Sequence, residues 1–332
     1  MNHIAVFGAG SWGTAFAAIL ADAGNDVRVW GRRPELVEQL NRGVNEDYAP
    51  GIELSSRISA SSDPAHVVDG AEIVILSVPS QSLRDNLTEW APLLTGDKII
   101  VSLMKGIELG TTKRMSEVIH EVAGIPFERI VAVSGPNLSR EIIQRQPAAT
   151  VVACPDERSA DTVAAACSTS YFRPYTSPDL VGAEIGGAVK NVIALAVGMA
   201  SGLGMGDNTK ATIITRGLAE TTRLATALGA DPRTMSGLAG VGDLIATCMS
   251  PLSRNHSFGV KLGQGLTLEE VTAQAKQTAE GVKSCSSILE LAHSNGVDVP
   301  IIEQVNRAVH EGVQVTEIGR ELLARARKSE TD

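Results

Sequence analysis

Short, nearly unbroken apolar blocks mark the first half of the chain. Residues 3–7 (HIAVF), 27–30 (VRVW), 72–76 (EIVIL), 98–101 (KIIV) and 130–133 (IVAV) have the length and composition of strands. Blocks of this kind are expected where helices cover both faces of a parallel sheet. Residues 150–153 and 171–175 extend the same sheet. Residues 12–23 read as a helix closed by Gly24, which supplies the left-handed residue helices end on. Beyond residue 177 the period changes. Residues 182–203 place Ile185, Val189, Val192, Ile193, Ala196 and Val197 at helical spacing, and 208–228 form a second run ended by Gly229. Thr267 and Glu270 form a capping box. Residues 284–294 end before Asn295-Gly296, 301–310 follow Pro300, and 317–327 close the series. No strand pattern occurs in this half. The predicted fold is an α/β N-terminal Rossmann-type domain with a mostly parallel sheet, residues 1–178, followed by an all-α C-terminal domain, residues 179–332.

Composition narrows the function. The chain has 332 residues, enough for two cores, and a net charge of −9 with 3% aromatics. Nucleic-acid binding wants a basic face and stacking platforms, so it is not expected. The four cysteines are scattered and the six histidines show no ligand spacing, which predicts no metal and reduced thiols in the cytoplasm. No cationic segment precedes an apolar one at the start, so no signal peptide is expected. The uncharged stretch 191–206 is too short and too rich in glycine to span a bilayer.

Gly8-Ala9-Gly10-Ser11-Trp12-Gly13 is a GxGxxG between a predicted strand and a predicted helix. That context turns a weak spacing into a dinucleotide-binding signal. Gly8 permits the turn, Gly10 lets the backbone approach a pyrophosphate, and Gly13 lets helix lie on strand. Ser11 and Trp12 open the helix, whose N-terminus favours phosphate. The next strand ends in Trp30-Gly31-Arg32-Arg33 rather than in the acid that binds ribose hydroxyls. Two arginines there suit a 2′-phosphate, so NADPH is expected over NADH.

The second half carries a lysine in an apolar helix. Gly186 and Gly187 lie one turn before Lys190 and Ala194 one turn after, a spacing read as room for a ligand to approach the amine. The chain resembles, through nearly its whole length, the bacterial NAD(P)-dependent glycerol-3-phosphate dehydrogenases. The resemblance rests on GAGSWGTA at 8–15, SVPSQ at 77–81, KGIE at 105–108, SGPNLSREI at 134–142, GGAVKNVIALA at 186–196, GDNTKA at 206–211, TRGLAE at 215–220, GLAGVGDLIATC at 237–248, SRNHSFG at 253–259 and AEG at 279–281. It implies interconversion of glycerone phosphate and sn-glycerol 3-phosphate, a supply of glycerophospholipid backbone, and a homodimer. It further implies that Lys190 is the catalytic lysine, Lys105 a second lysine at substrate and cofactor, and Asp243 the acid organising them. Ser253, Arg254 and Asn255 correspond to substrate-phosphate contacts, with Arg254 also at the cofactor. Gly135 and Asn137 correspond to contacts beside the substrate, and Ser139 and Glu280 to cofactor contacts. The family often has Ser or Thr, then Phe-Ala, after SGP; here Asn137-Leu138-Ser139 stands instead.

The chemistry agrees with those assignments. Hydride addition to a ketone builds charge on oxygen, which a cation stabilises and an acid protonates; a charged lysine does both. The reverse reaction needs a neutral lysine, and an ordinary one with a pKa of about 10.4 is almost fully charged at pH 7. A neighbouring cation and burial lower that value, while Asp243 opposes them. Arg254 suits a phosphate dianion through its bidentate fork. Two other readings share these features: a related dehydrogenase for a 3-hydroxyacid or branched ketoacid, and a nucleotide sensor without turnover. Arg254 beside Lys190 speaks against the first, and the pair Lys190 and Lys105 against the second.

Overall fold

The computed structural model describes residues 3–274, 279–324 and 329. Eight strands form one sheet: β1 His3–Phe7, β2 Asp26–Trp30, β3 Ile58–Ser61, β4 Ile73–Leu76, β5 Ile99–Ser102, β6 Ile130–Ser134, β7 Ala148–Ala153 and β8 Phe172–Ser177. Their order is β3-β2-β1-β4-β5-β6-β7-β8. All neighbours are parallel except β6 and β7. This is the mostly parallel sheet that the apolar blocks predict, with β3 added at the edge.

Helices α1 Ser11–Asp22, α2 Pro34–Asn41, α3 Pro64–Val68, α4 Leu83–Trp90, α5 Met115–Ala123, α6 Ser139–Ile142 and α7 Glu157–Cys167 cover the sheet. Strand alternation divides its side chains between two cores. Ile4 and Val6 of β1 join Phe16 and Leu20 of α1 on one face. Ala5 and Phe7 join Leu83, Leu87 and Trp90 of α4 and Val118 and Ile119 of α5 on the other.

After β8 the chain is helical: α8 Leu180–Gly202, α9 Asp207–Ala227, α10 Asp243–Met249, α11 Arg254–Gly263, α12 Leu268–Gln274, α13 Glu280–Ser294, α14 Pro300–His310 and α15 Val315–Ala324. The predicted capping box opens α12, with Glu270 N–H donating to Thr267 Oγ1 at 3.2 Å and Thr267 N–H to Glu270 Oε2 at 2.8 Å. The predicted last helix starts two residues earlier than expected, and its residues 325–327 lie outside the described residues. By length and composition α8 is apolar enough to cross a membrane, but 83% of its most apolar window is buried inside the protein. Helices α9, α10, α11 and α13 pack around it, with a common core of Val189, Val192, Ile193, Leu224, Leu244, Phe258 and Ile288.

The closest of these contacts is between α8 and α11. A Cβ on Gly198 or Gly202 would run into the carbonyls of His256 and Val260, and one on Gly259 or Gly263 into those of Leu195 and Met199. Four glycines thus bring two helix backbones together. That contact fixes the N-terminus of α11 against the middle of α8, where Lys190 stands.

Candidate functional site

The glycine loop follows β1 as its sequence requires. Gly8 sits at φ +121°, and a Cβ on it would collide with the Ser77 carbonyl. A Cβ on Gly13 would collide with the Gly8 carbonyl, whereas one on Gly10 would meet no protein atom within 4 Å. The Ala9 carbonyl accepts from Thr14 Oγ1 and from Asn45 Nδ2, both at 3.2 Å. A planar trans peptide whose C=O is turned inward turns its N–H, that of Gly10, the opposite way. Helix α1 has no side-chain cap, so its first-turn N–H groups remain for an anion. The open cradle at Gly10 and this uncapped terminus fit a dinucleotide pyrophosphate. Trp12 packs edge-on to Phe16 at 5.5 Å.

At the end of β2, Arg32 is exposed. Arg33 is ion-paired to Asp47 at 2.6 Å and lies over the Tyr48 ring at 6.0 Å. The fold therefore brings an acid to the strand end that the linear sequence keeps fourteen residues away. It occupies Arg33 and not, by any contact described, Arg32.

The chemical centre lies at the carboxyl ends of β5 and β6, where open α/β sheets bind their ligands. Lys105 follows β5, Gly135 follows β6, and Lys190 comes from the middle of α8. Asp243, the first residue of α10, joins the two lysines: Oδ2 accepts from Lys105 Nζ at 2.5 Å and Oδ1 from Lys190 Nζ at 2.6 Å. Lys105 also donates to the Gly135 carbonyl at 3.1 Å. Lys190 also donates to Thr247 Oγ1 at 2.6 Å, whose hydroxyl donates on to Asp243 Oδ1 at 3.2 Å. Lys190 is 8% exposed and Asp243 1%. Burial would raise the Asp243 pKa, but Lys105 and Lys190 outweigh it and hold the carboxyl below its usual value. Burial lowers the Lys105 pKa to about 8; Asp243 opposes the shift and the charge on Lys190 adds to it.

The glycines before Lys190 do a different job from the one their spacing suggested. A Cβ on Gly186 would collide with the Ala239 carbonyl, in the turn leading to Asp243. A Cβ on Gly187 would lie 2.9 Å from Ser134 Oγ and 3.4 Å from Lys105 Cγ. The room is filled by protein: Gly186 admits the backbone that delivers Asp243, and Gly187 admits the stem of Lys105. Small residues in a sequence show that something comes close, not what it is.

The remaining site residues divide into three groups. Ser253 Oγ accepts from His256 N–H at 3.2 Å and caps α11. Asn255, 7% exposed, donates to Asn191 Oδ1 at 2.9 Å and accepts from Gly281 N–H at 3.0 Å. Between them Arg254 is exposed at the start of α11. Glu280 opens α13 and accepts from Ser80 Oγ, across the two halves, at 2.7 Å. Asn137 donates to Thr150 Oγ1 at 3.0 Å, and its buried Oδ1 meets no donor among the described residues. Ser139 opens α6, half-buried. The structure thus brings Lys190, Lys105, Asp243 and Gly135 into one bonded cluster. Asn191, Asn255, Gly281 and the Lys105 carbonyl, to which Asn191 donates at 3.3 Å, form a second chain behind it.

Sequence reasoning missed Thr247, Glu184 and Ser80. Thr247 lies one helical turn after Asp243, so reading 243–249 as a helix would have placed both on one face. Glu184 carried one signal, an acid in an apolar run. Ser80 carried no signal beyond its motif. Cys248 behaves as a small core residue, its thiol pushed up to about 12 by burial. Among the described residues no cluster of three metal-ligating side chains occurs.

Comparison with known proteins agrees with this architecture over nearly the whole length. The family model for the NAD-dependent glycerol-3-phosphate dehydrogenase N-terminus matches residues 3–160, and that for its C-terminus residues 179–320. The glycerol-3-phosphate dehydrogenase (NAD(P)+) of Streptomyces griseus subsp. griseus is 61% identical over 98% of this chain and 97% of its own. That of Thermobifida fusca is 56% identical over 99% of each. The crystal structure of glycerol-3-phosphate dehydrogenase from Coxiella burnetii superposes with a TM-score of 0.93 at 33% identity, covering 98% of this chain and 99% of that one.

Proposed function

Because the chain belongs to the NAD-dependent glycerol-3-phosphate dehydrogenase family, we propose that the buried Lys190–Asp243–Lys105 cluster performs its proton chemistry. The chain interconverts glycerone phosphate and sn-glycerol 3-phosphate with NAD(P)H. The nicotinamide, when bound, supplies or takes the hydride. The protein supplies everything else. An ammonium carries three N–H groups. Lys190 commits two of them to Asp243 and Thr247, and Lys105 commits two to Asp243 and the Gly135 carbonyl. One N–H of each remains for the substrate oxygen. Lys190 Nζ moves the proton to or from that oxygen, while Lys105 balances its charge. The shared carboxylate keeps both amines aimed and offsets their mutual repulsion.

Arg254, with the capped N-terminus of α11 behind it, holds the substrate phosphate. Ser253 and Asn255 serve that site by fixing the helix start and by tying it through Asn191 to the Lys105 backbone. Gly135, Asn137 and Thr150 border the substrate. Gly8, Gly10, Ser11, Trp12 and Gly13 hold the pyrophosphate; Arg32, with Arg33 partly engaged by Asp47, favours NADPH; Ser139 and Glu280 complete the cofactor contacts. Residues 1–178 form the dinucleotide-binding domain and 179–332 the helical one. A cytoplasmic homodimer feeding glycerophospholipid synthesis completes the reading.

The observation that most supports it is one buried carboxylate shared by a lysine from each half. The test is oxidation of NADPH and NADH with glycerone phosphate. Turnover with both, a lower KM for NADPH, none in Lys190→Ala, and a raised glycerone phosphate KM in Arg254→Ala are expected. Undiminished turnover in Lys190→Ala would end the mechanistic reading, and an unchanged KM in Arg254→Ala the phosphate assignment. Arg32→Ala is expected to raise the KM for NADPH and leave that for NADH alone.

A further inference from the structure

Lys105 stands at the start of a loop that runs from β5 to α5 and is held from both halves. Its amine is bonded to Asp243. Two residues on, Ile107 is fully buried in the core of the helical half, and its carbonyl accepts from Gln81 Nε2 at 2.8 Å and Ser287 Oγ at 2.9 Å. The loop then folds back: Ile107 pairs with Arg114 in an antiparallel bridge, and Glu108 N–H donates to the Lys113 carbonyl at 2.9 Å. At this far end a hold comes from the helical half. Glu184 of α8, 7% exposed, accepts from Arg114 Nη1 at 2.7 Å, from Ser116 N–H at 2.8 Å and from Ser116 Oγ at 2.6 Å. A carboxylate of the helical half thus caps the first turn of a helix on the sheet.

We propose that Glu184 is a positioning residue for Lys105: by clamping Arg114 and Ser116 it fixes the rotation of the loop and so the approach of the Lys105 amine to Asp243 and Lys190. The buried Ile107 side chain sets how deep the loop sits, but a single plug leaves rotation about it free. Further anchors remove that freedom: Arg84 of α4 pairs with Glu108 at 2.9 Å, Glu117 of α5 with Arg114 at 3.1 Å, and Glu184 is the carboxylate that the helical half sets on the returning segment, bonding both Arg114 and Ser116. Glu184 and Lys190 lie six residues apart on one helix, about 9 Å along its axis at 1.5 Å per residue. Helix α8 therefore carries one lysine directly and sets the other through Glu184. The burial that raises the Glu184 pKa, against Arg114 and the Ser116 donors, accords with a carboxylate placed there at a cost.

The inference rests on the reading that Lys105 and Lys190 act in the reaction, and the test separates the two. The full chain is assayed as Glu184→Gln, which keeps one acceptor but loses the ion pair, and as Ser116→Ala; Lys105→Ala and Lys190→Ala serve as references. Displacing a catalytic group by an ångström costs on the order of 100-fold, so kcat/KM for glycerone phosphate in Glu184→Gln is expected to fall at least about tenfold. The NADPH dissociation constant is expected to change much less than kcat/KM, since the glycine loop that holds the pyrophosphate lies on β1, away from Glu184. The alkaline limb of kcat/KM is expected to move upward as Lys105, which faces Asp243 and Lys190, regains water; Arg114, with Glu117 beside it, is the charge facing Glu184. A lower melting temperature in Glu184→Gln and Ser116→Ala with kcat/KM and its pH limb unchanged would overturn the proposal and leave a structural clamp. Full activity in the two lysine variants would instead overturn the reading beneath it.

Discussion

Raising the pH should switch off glycerone phosphate reduction near pH 8, and replacing Asp243 by asparagine should bring that loss to lower pH. Lys105 titrates at about 8. A group with that pKa is about 90% protonated at pH 7 and about 10% at pH 9, whereas an ordinary lysine is still about 95% protonated at pH 9. If reduction needs a charged Lys105, kcat/KM therefore falls about tenfold between pH 7 and 9. The substrate does not mimic this limb, because a phosphate monoester with a second pKa of about 6 is already largely dianionic at pH 7. In Asp243→Asn the force opposing the shift disappears while burial and Lys190 remain, so the limb moves below that of the parent. The assay is the initial rate of NADPH oxidation at limiting glycerone phosphate from pH 6 to 9.5, with samples returned to pH 7 to confirm that the enzyme survives. A flat profile from pH 7 to 9, or an upward shift in Asp243→Asn, would take Lys105 out of the alkaline limb.

Two further predictions concern stability. Glu220 of α9 is 2% exposed and accepts from Ile301 N–H at 2.8 Å and Ile302 N–H at 3.3 Å, capping α14, which has no side-chain cap of its own. Burial lifts its pKa to about 7 against those N–H groups. The folded state then binds the proton more tightly than the unfolded one, so its contribution is fully present below about pH 4.5 and is lost as pH rises through 7. The loss is about 3 kcal/mol. Urea unfolding at pH 5 and 8 is expected to show a smaller difference for Glu220→Gln than for the parent; an equal difference would remove Glu220 from the account. Gly259→Ala is expected to cost about 2 kcal/mol or more, because the added Cβ meets the Leu195 carbonyl and lies 3.0 Å from Gly198 Cα. Urea unfolding checks it, and a cost below about 0.5 kcal/mol would mean that α8 and α11 part freely.

What the sequence disclosed depended on whether one element sufficed to define it. Four strands, β1, β4, β5 and β6, announced themselves because both their faces are buried, so that apolar residues run without interruption, whereas in β2 Arg28 stands between buried Val27 and Val29. Strand β3, Ile58–Ser61, has the sequence ISAS and lies at the sheet edge beside β2 alone. Only Ile58 is buried, and four residues are too few for alternation to stand out from a loop. The glycine loop was legible for a related reason: its partners, β1 and α1, are its neighbours in the chain. The lysine cluster was legible only as a set of residue types. Lys105, Lys190 and Asp243 come from three elements, and no periodicity tells that one carboxylate bridges both amines. The glycines around Lys190 show the limit most plainly. Their spacing correctly signalled a close approach, but the approaching groups, the Ala239 carbonyl and the Lys105 stem, are 53 and 82 residues away from Gly186 and Gly187 in the chain. The same separation hid Glu184, whose partners lie 68 and 70 residues earlier. An acid inside an apolar helix must have a partner, because an isolated buried charge is too costly to keep. That rule identifies Glu184 as engaged before any coordinates exist; only the fold reveals that the group it engages is the loop bearing the second lysine.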